Sequence, residues 1–230
     1  MDIQILHLAE GATRAVGLTV IIDVFRAFTV EPWLMSRNAQ CILPVGEVAQ
    51  AFACKKHFPQ AILCGERNGI MVEGFDYGNS PSQFEHTDLT GKTVIHTTSA
   101  GTQGIVNAVN ASEILTGSFV NALAISKYIK QRNAAKVSLV CMGWNAAEPT
   151  EEDTLCAQYI KSLLEDNPMP DIDIQLQQLR YTSGAKFFDP AQQNVFPQRD
   201  FELCIQRDRF NFVLRVIKNG QMDYIQRIDI

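Results

Sequence analysis

Two textures alternate through the first two thirds of the chain. Short, β-branched apolar runs occupy residues 17–23, 40–44, 61–64, 92–97, 113–117 and 136–141. Each is too short for a surface helix and too evenly apolar for a sheet with one wet face, so each predicts a strand covered on both sides. Between them apolar residues recur every three or four positions. This spacing predicts helices over 46–58 (Val48, Ala51, Phe52, Lys55), over 118–132 (Leu123, Ile125, Ile129) and over 151–165 (Leu155, Ile160, Leu163), the last with acids in its first turn. Such alternation predicts an α/β fold, a parallel or mixed sheet covered by helices.

The texture changes at EDNPMPDID, residues 165–173, where two prolines and four acids in nine residues read as a connector. The chain therefore divides into a main α/β domain, 1–165, and a C-terminal extension, 166–230, packed on it rather than independent. Within the extension, RFNFVLRVIKNGQMDYIQRI places Asn219-Gly220 between two alternating runs, which predicts a β-hairpin with a type I′ turn.

Composition narrows the partners. A chain of 230 residues builds one sizeable core. Its net charge of −5 provides no basic field for nucleic acid, and no apolar run approaches the length a membrane span needs. Without a secretory leader in MDIQILHLAEG or a C-x-x-C pair, the six cysteines read as reduced thiols of a cytoplasmic protein. No cysteine has an Arg six positions on, and there is no H-E-x-x-H, so a cysteine phosphatase and a zincin are both excluded. A homodimer is the expectation for a soluble enzyme of this size.

Chemistry gathers just after the predicted strands, where ligands bind in α/β sheets. Asp23 closes the first strand in VIIDVFRA. Its carboxylate suits metal ligation or attack on phosphorus, and equally an N-cap, with Arg26 three residues on. The loop GERNGIMVEGFDYGNSPSQ sets Glu66, Glu73 and Asp76 among four glycines, with Arg67, Asn79 and Ser80; hard oxygens on such backbone fit Mg²⁺. HTTSAGT offers Thr97, Thr98, Ser99, Gly101 and Thr102 as a phosphate cradle or as helix caps. In GSFVNA, Ser118 reads first as a cap and Asn121 as a ligand contact. In PTEED, Glu152 and Asp153 answer the helix dipole, or complete a metal site if they face the same rim as Asp23.

At VIIDVFRA, GERNGIMVEGFDYGNSP, HTTSAGT, GSFVNA, EEDTLCAQ and DFELC, in order across 17–205, the chain resembles the 2-phosphosulfolactate phosphatase family. The resemblance implies a three-layer α/β/α fold and a Mg²⁺-dependent enzyme hydrolysing the phosphate ester of a 2-hydroxy acid, a small anionic substrate. It casts Asp23, Arg26 and Arg67 as catalytic groups. Asn79, Ser80, Thr97, Thr98, Ser99, Gly101, Thr102, Ser118 and Asn121 become substrate contacts, and Asp23, Glu66, Glu73, Asp76, Glu152 and Asp153 become metal ligands. Where the family commonly reads T-N-G-T-R, this chain has Ser99-Ala100-Gly101-Thr102-Gln103, which leaves open a second reading, a non-catalytic anion-binding homologue.

Overall fold

The structure is a computed structural model that describes residues 1–230. The chain opens with β1 (Asp2–His7), α1 (Leu8–Arg14), β2 (Gly17–Ile22), α2 (Ala27–Ser36), β3 (Cys41–Pro44), α3 (Val48–His57), β4 (Ile62–Arg67) and the short β5 (Ile70–Met71). Then follow β6 (Thr93–Thr97), α4 (Gly101–Asn107), β7 (Ala111–Gly117), α5 (Ala122–Gln131), β8 (Lys136–Cys141) and α6 (Glu151–Leu164). The final part holds α7 (Ile172–Gln178), α8 (Gln198–Cys204), β9 (Phe212–Ile217) and β10 (Tyr224–Asp229).

The ten strands form one mixed sheet in the order β1-β8-β2-β7-β9-β10-β3-β6-β4-β5. Side chains alternate across it. Leu18, Val20 and Ile22 of β2 enter one core with α5 and α6, while Ile21 enters the other with α2 and α4. Two cores on opposite faces of one sheet make the three layers, as the sequence leads one to expect.

The C-terminal hairpin lies in the middle of this sheet, between β7 and β3. Its three junctions, β7 with β9, β9 with β10 and β10 with β3, are all antiparallel. The parallel set β1, β8, β2, β7 therefore runs opposite to the parallel set β3, β6, β4. The turn is not type I′: pairing ends at Ile217 and Tyr224, and of the Asn-Gly pair only Gly220 has positive φ (79°). Asn219 Oδ1 instead accepts from the amides of Gln221 (3.0 Å) and Met222 (2.8 Å), an Asx turn in a wider loop. β1 escaped the sequence pattern because it is an edge strand, exposed at both ends and half-buried between, without an even apolar run.

Helix α2 is buried from Ala27 to Met35 although it contains Pro32. Proline has no N–H to give the carbonyl four residues back, that of Phe28. The Ser118 hydroxyl donates to the Phe28 carbonyl at 2.9 Å and satisfies it. Asn121 in turn accepts from the Ser118 amide (3.2 Å), so both residues are spent inside the fold rather than on a ligand. Ser118→Ala is expected to leave that carbonyl unpaired at a cost of about 1–3 kcal/mol in urea unfolding. Combining it with Pro32→Ala, which restores the helical donor, should recover part of the loss; equal destabilisation in both backgrounds would show that the hydroxyl does not serve the proline.

Candidate active site

The exit of β2 is fixed by a carboxylate from another element. Asp153, in the first turn of α6, accepts from the amides of Val24 and Gly143, both at 2.8 Å, and so joins the turns that follow β2 and β8. Asp23 stands beside this junction with 7% of its surface exposed. Burial, then the neighbouring charge of Glu66, pushes its carboxyl up to about 7; Glu152 adds to the rise, and the amides of Ala27 and Gly101 oppose it.

Glu66 comes from the end of β4. Its Oε1 accepts from the Ser99 amide (2.6 Å), and its Oε2 from the Gly69 amide (2.6 Å) and the Ser99 hydroxyl (3.0 Å). This binds the turn after β4 to the turn after β6. Gly69 has φ 79°, and a Cβ there would lie 2.4 Å from the Phe196 ring, so no other residue fits.

Arg26 is 4% exposed. Its Nη1 donates to Asp200 Oδ2 (2.8 Å) and the Val195 carbonyl (2.7 Å), and its Nη2 to the Gly69 carbonyl (2.9 Å). Three of the five guanidinium N–H bonds are thus spent, and two remain. Asp200 is itself saturated by the Ser80 hydroxyl (2.8 Å) and the Ser82 amide (3.0 Å).

These elements enclose a narrow cleft of about 30 Å³, lined by Asp23, Arg26, Glu66, Asn79, Ser99 and Ala100 with the Gly143–Asn145 turn, Gly69, Phe25 and Phe196. A second cation stands at the aromatic wall: Lys186 Nζ lies 4.2 Å from the Trp144 ring centre and 5.2 Å from that of Phe196. Burial lowers the Lys186 pKa, while the charges of Glu152 and Asp23 pull it back up. Glu152 is 3% exposed and its Oε2 has no hydrogen-bond partner; burial raises its carboxyl against the pull of Ser183 and Lys186.

Of the residues singled out in the sequence, Asp23, Arg26, Glu66, Asn79 and Ser99 meet at the cleft. Others do not. Glu73 and Asp76 are exposed, and Asp76 Oδ2 accepts from the Leu63 amide (2.8 Å) beside Lys55 (3.6 Å), away from the cleft lining. Both oxygens of Asp153 are held by backbone amides. Thr98 and Thr102 close a hydrogen-bonded box on each other, and Arg67 donates to the Gly46 carbonyl and Thr97 (both 2.9 Å). Gln103 donates to that same carbonyl (3.0 Å) outside the cleft, whereas Ala100 lies in its wall. Ser80 acts through Asp200, and Gly101 packs its backbone against Asp23, where a Cβ would come within 3.0 Å of Oδ2. The structure gathers no three His, Cys, Asp or Glu side chains that could hold a metal between them. All six cysteines are free; burial pushes the thiols of Cys64, Cys141, Cys156 and Cys204 up, so none of these four offers a thiolate. No helix is long and apolar enough to cross a membrane.

Sequence reasoning missed Lys186, Phe196 and Trp144 as site residues, and named Asp200 only as part of DFELC. Trp144 read as packing, and the others sit in a segment without periodicity.

Comparison with known proteins agrees with this geometry. The model of the 2-phosphosulpholactate phosphatase family matches residues 5–219. The chain belongs to that family. A Bacillus subtilis protein named "Probable 2-phosphosulfolactate phosphatase" is 30% identical over the full length of both chains. One of the same name from Caldicellulosiruptor saccharolyticus is 38% identical over 82% of this chain and 84% of its own. A third, from Thermoplasma acidophilum, is 30% identical over 85% and 84%. Family membership thus covers both half-sheets and the first strand of the hairpin that joins them.

The raised Asp23 carboxyl has a thermodynamic signature. An acid whose pKa rises on folding gives stability that is complete below its ordinary value of 3.8 and is lost as pH climbs through about 7. Asp23→Asn lacks this penalty. In chelating buffer its stability relative to wild type is expected to grow across that window, by up to about 1.4 kcal/mol per pH unit, and then level off. A difference independent of pH would show that Asp23 ionises as an ordinary carboxylate.

Proposed function

We propose that the protein is a Mg²⁺-dependent phosphatase that hydrolyses the phosphate ester of a small 2-hydroxy acid, of the kind named by its family, 2-phospho-3-sulfolactate. The observation that carries this reading is the meeting, in one narrow cleft, of the buried and raised Asp23 carboxyl with the partly unspent Arg26 guanidinium and the Asn79 amide.

The residues suit a divalent cation. Mg²⁺ takes one or two carboxylates and fills its remaining positions with water and phosphate oxygens, so it does not require a three-residue cage. Asp23 is crowded by Glu66 and Glu152, and Glu152 Oε2 is buried without a partner, so this set has oxygen capacity to spare. Asp23 and Glu152 are the side chains that would hold the ion, with Glu66 held by backbone beside them. Bound there, Mg²⁺ supplies charge that offsets the phosphoryl oxygens.

The chain's own groups provide the rest. Arg26 keeps two N–H bonds for phosphoryl oxygens and is kept straight by Asp200, so it orients the anion without rearranging. Lys186 adds charge from the aromatic wall. Phe196 and Trp144 exclude bulk water at that side, which strengthens both interactions. Either water attacks phosphorus, giving a proton to Asp23 as the bond from phosphorus to the ester oxygen breaks and that oxygen takes a proton back from Asp23, or Asp23 attacks. In that second route the ester oxygen leaves with a proton from water, and a second water hydrolyses the acyl phosphate to free phosphate and Asp23.

Quenching with labelled substrate separates the two nucleophiles: labelled protein that survives acid assigns attack to Asp23, and its lack leaves Asp23 as proton acceptor from water. Chelation is expected to abolish phosphate release and added Mg²⁺ to restore it; activity indifferent to chelator would remove the metal from the reading. Lys186→Met keeps the packing on Trp144 and Phe196 but not the charge. It should raise KM roughly tenfold, about 1.4 kcal/mol.

Ala100 in the cleft wall, at the position the family commonly gives to Asn, supports the second reading, an anion-binding protein without turnover. If no ester yields phosphate while inorganic phosphate still raises the melting temperature, that reading prevails.

A further inference from the structure

Four side chains form an unbroken row from inside the sheet to the cleft wall. The Thr116 hydroxyl, on β7, donates to Glu31 Oε2 (2.8 Å); Glu31 Oε1, on α2, meets His96 Nδ1 (3.1 Å); and His96 Nε2, on β6, meets Asn79 Oδ1 (3.2 Å). Thr116, Glu31 and His96 are wholly buried, and Asn79, 5% exposed, lines the cleft. The first three stand behind that wall.

Stability does not account for the row. A buried polar pair often does no better than well-packed apolar side chains, and α2 already buries Phe28, Val30, Trp33 and Leu34 around Glu31. What the row does fix is direction. Each ring nitrogen of His96 faces an oxygen, and an N–H at Nε2 makes the Asn79 carbonyl the acceptor. The Asn79 Nδ2 group is left over, and its two N–H bonds find no acceptor within the protein. Turned over, the same amide would add another oxygen beside Asp23 and Glu66, where an anion is already repelled. Correctly turned, it is an uncharged donor among carboxylates.

We propose that Glu31 and His96 are positioning residues that lock the Asn79 amide with its N–H bonds toward the cleft, so that Asn79 selects an anionic oxygen of the ligand. The inference relies on the phosphate-ester reading only for the identity of that anion.

The test uses the full chain with Mg²⁺ and reads two quantities, the melting-temperature rise caused by inorganic phosphate and the split of KM against kcat on a phosphate ester. Replacing Glu31→Leu together with His96→Phe removes the row while leaving apolar groups in the core. It is expected to raise KM tenfold or more with less change in kcat, and to cut the phosphate-induced rise to under half, without lowering the ligand-free melting temperature. Glu31→Gln preserves the bond that matters, the one to Asn79: Thr116 donates to the new amide oxygen, the amide N–H to His96 Nδ1, and the ring proton stays on Nε2, which donates to Asn79. It should recover most of the phosphate-induced rise. Asn79→Asp keeps the shape and the bond from His96 but points an oxygen at the cleft, and should abolish the rise.

A double variant with wild-type KM and phosphate response would overturn the proposal. So would Glu31→Gln behaving like the double variant, since charge and not direction would then be what matters, and so would Asn79→Asp retaining the response. Should the double variant fail to fold, the other two decide alone. If wild type releases no phosphate from any ester, the phosphatase reading fails, yet the phosphate response still judges the row; a wild type that phosphate does not stabilise at all sinks it.

Discussion

The guanidinium of Arg26 ties together stretches of chain that the sheet by itself leaves apart. From the turn after β2 it reaches the Gly69 turn after β4, the Val195 carbonyl in the irregular segment before α8, and Asp200 within α8. A buried charge of this kind is costly unless every lone pair and proton is matched. Here the Asp200 side is matched, because it also receives a hydroxyl and an amide from the Ser80–Ser82 turn, while Arg26 keeps two N–H bonds. Withdraw this group and the cleft loses its floor and one wall together.

Around it, the acids sort by what holds them. Asp153 and Glu66 spend their oxygens on backbone amides, and they fix turns. Burial raises Asp23, Glu152 and Asp153 alike, Asp153 well above its ordinary value despite its two amides. Backbone amides at the strand ends thus decide where Asp153 and Glu66 point, while Glu152 Oε2 is left without a partner.

The sequence made the layered α/β fold legible because evenly apolar runs such as 136–141 can only be strands covered on both faces. It also placed Asp23, Arg26, Glu66 and Ser99 at the rim, since polar residues that directly follow such strands inherit their position, whereas Asn79 was named from the loop beyond. Orientation was not legible. Glu73 and Asp76 look like ligands in the sequence because an acid in a glycine-rich loop reads the same whether it faces inward or outward. Ser118 reads from the sequence as a cap, and that its hydroxyl also serves the carbonyl left by Pro32, far away in sequence, leaves no local trace. Lys186 and Phe196 could not be found from periodicity, lying in a stretch of short 3₁₀ turns whose path is set by packing on Arg26 and Trp144. The β9–β10 hairpin was visible, but its insertion was not, because pairing partners far apart in sequence leave no local pattern.

That insertion governs how the molecule comes together. β7 and β3 have no strand between them until residues 212–229 exist, so the growing polypeptide first carries two separate half-sheets, each with a bare edge available for mispairing. The cleft draws one wall from each half: the turns after β2 and β8 on one side, those after β4 and β6 on the other. The reactive centre therefore straddles the seam between the two halves, and the hairpin that fills this seam holds its opposite walls in register.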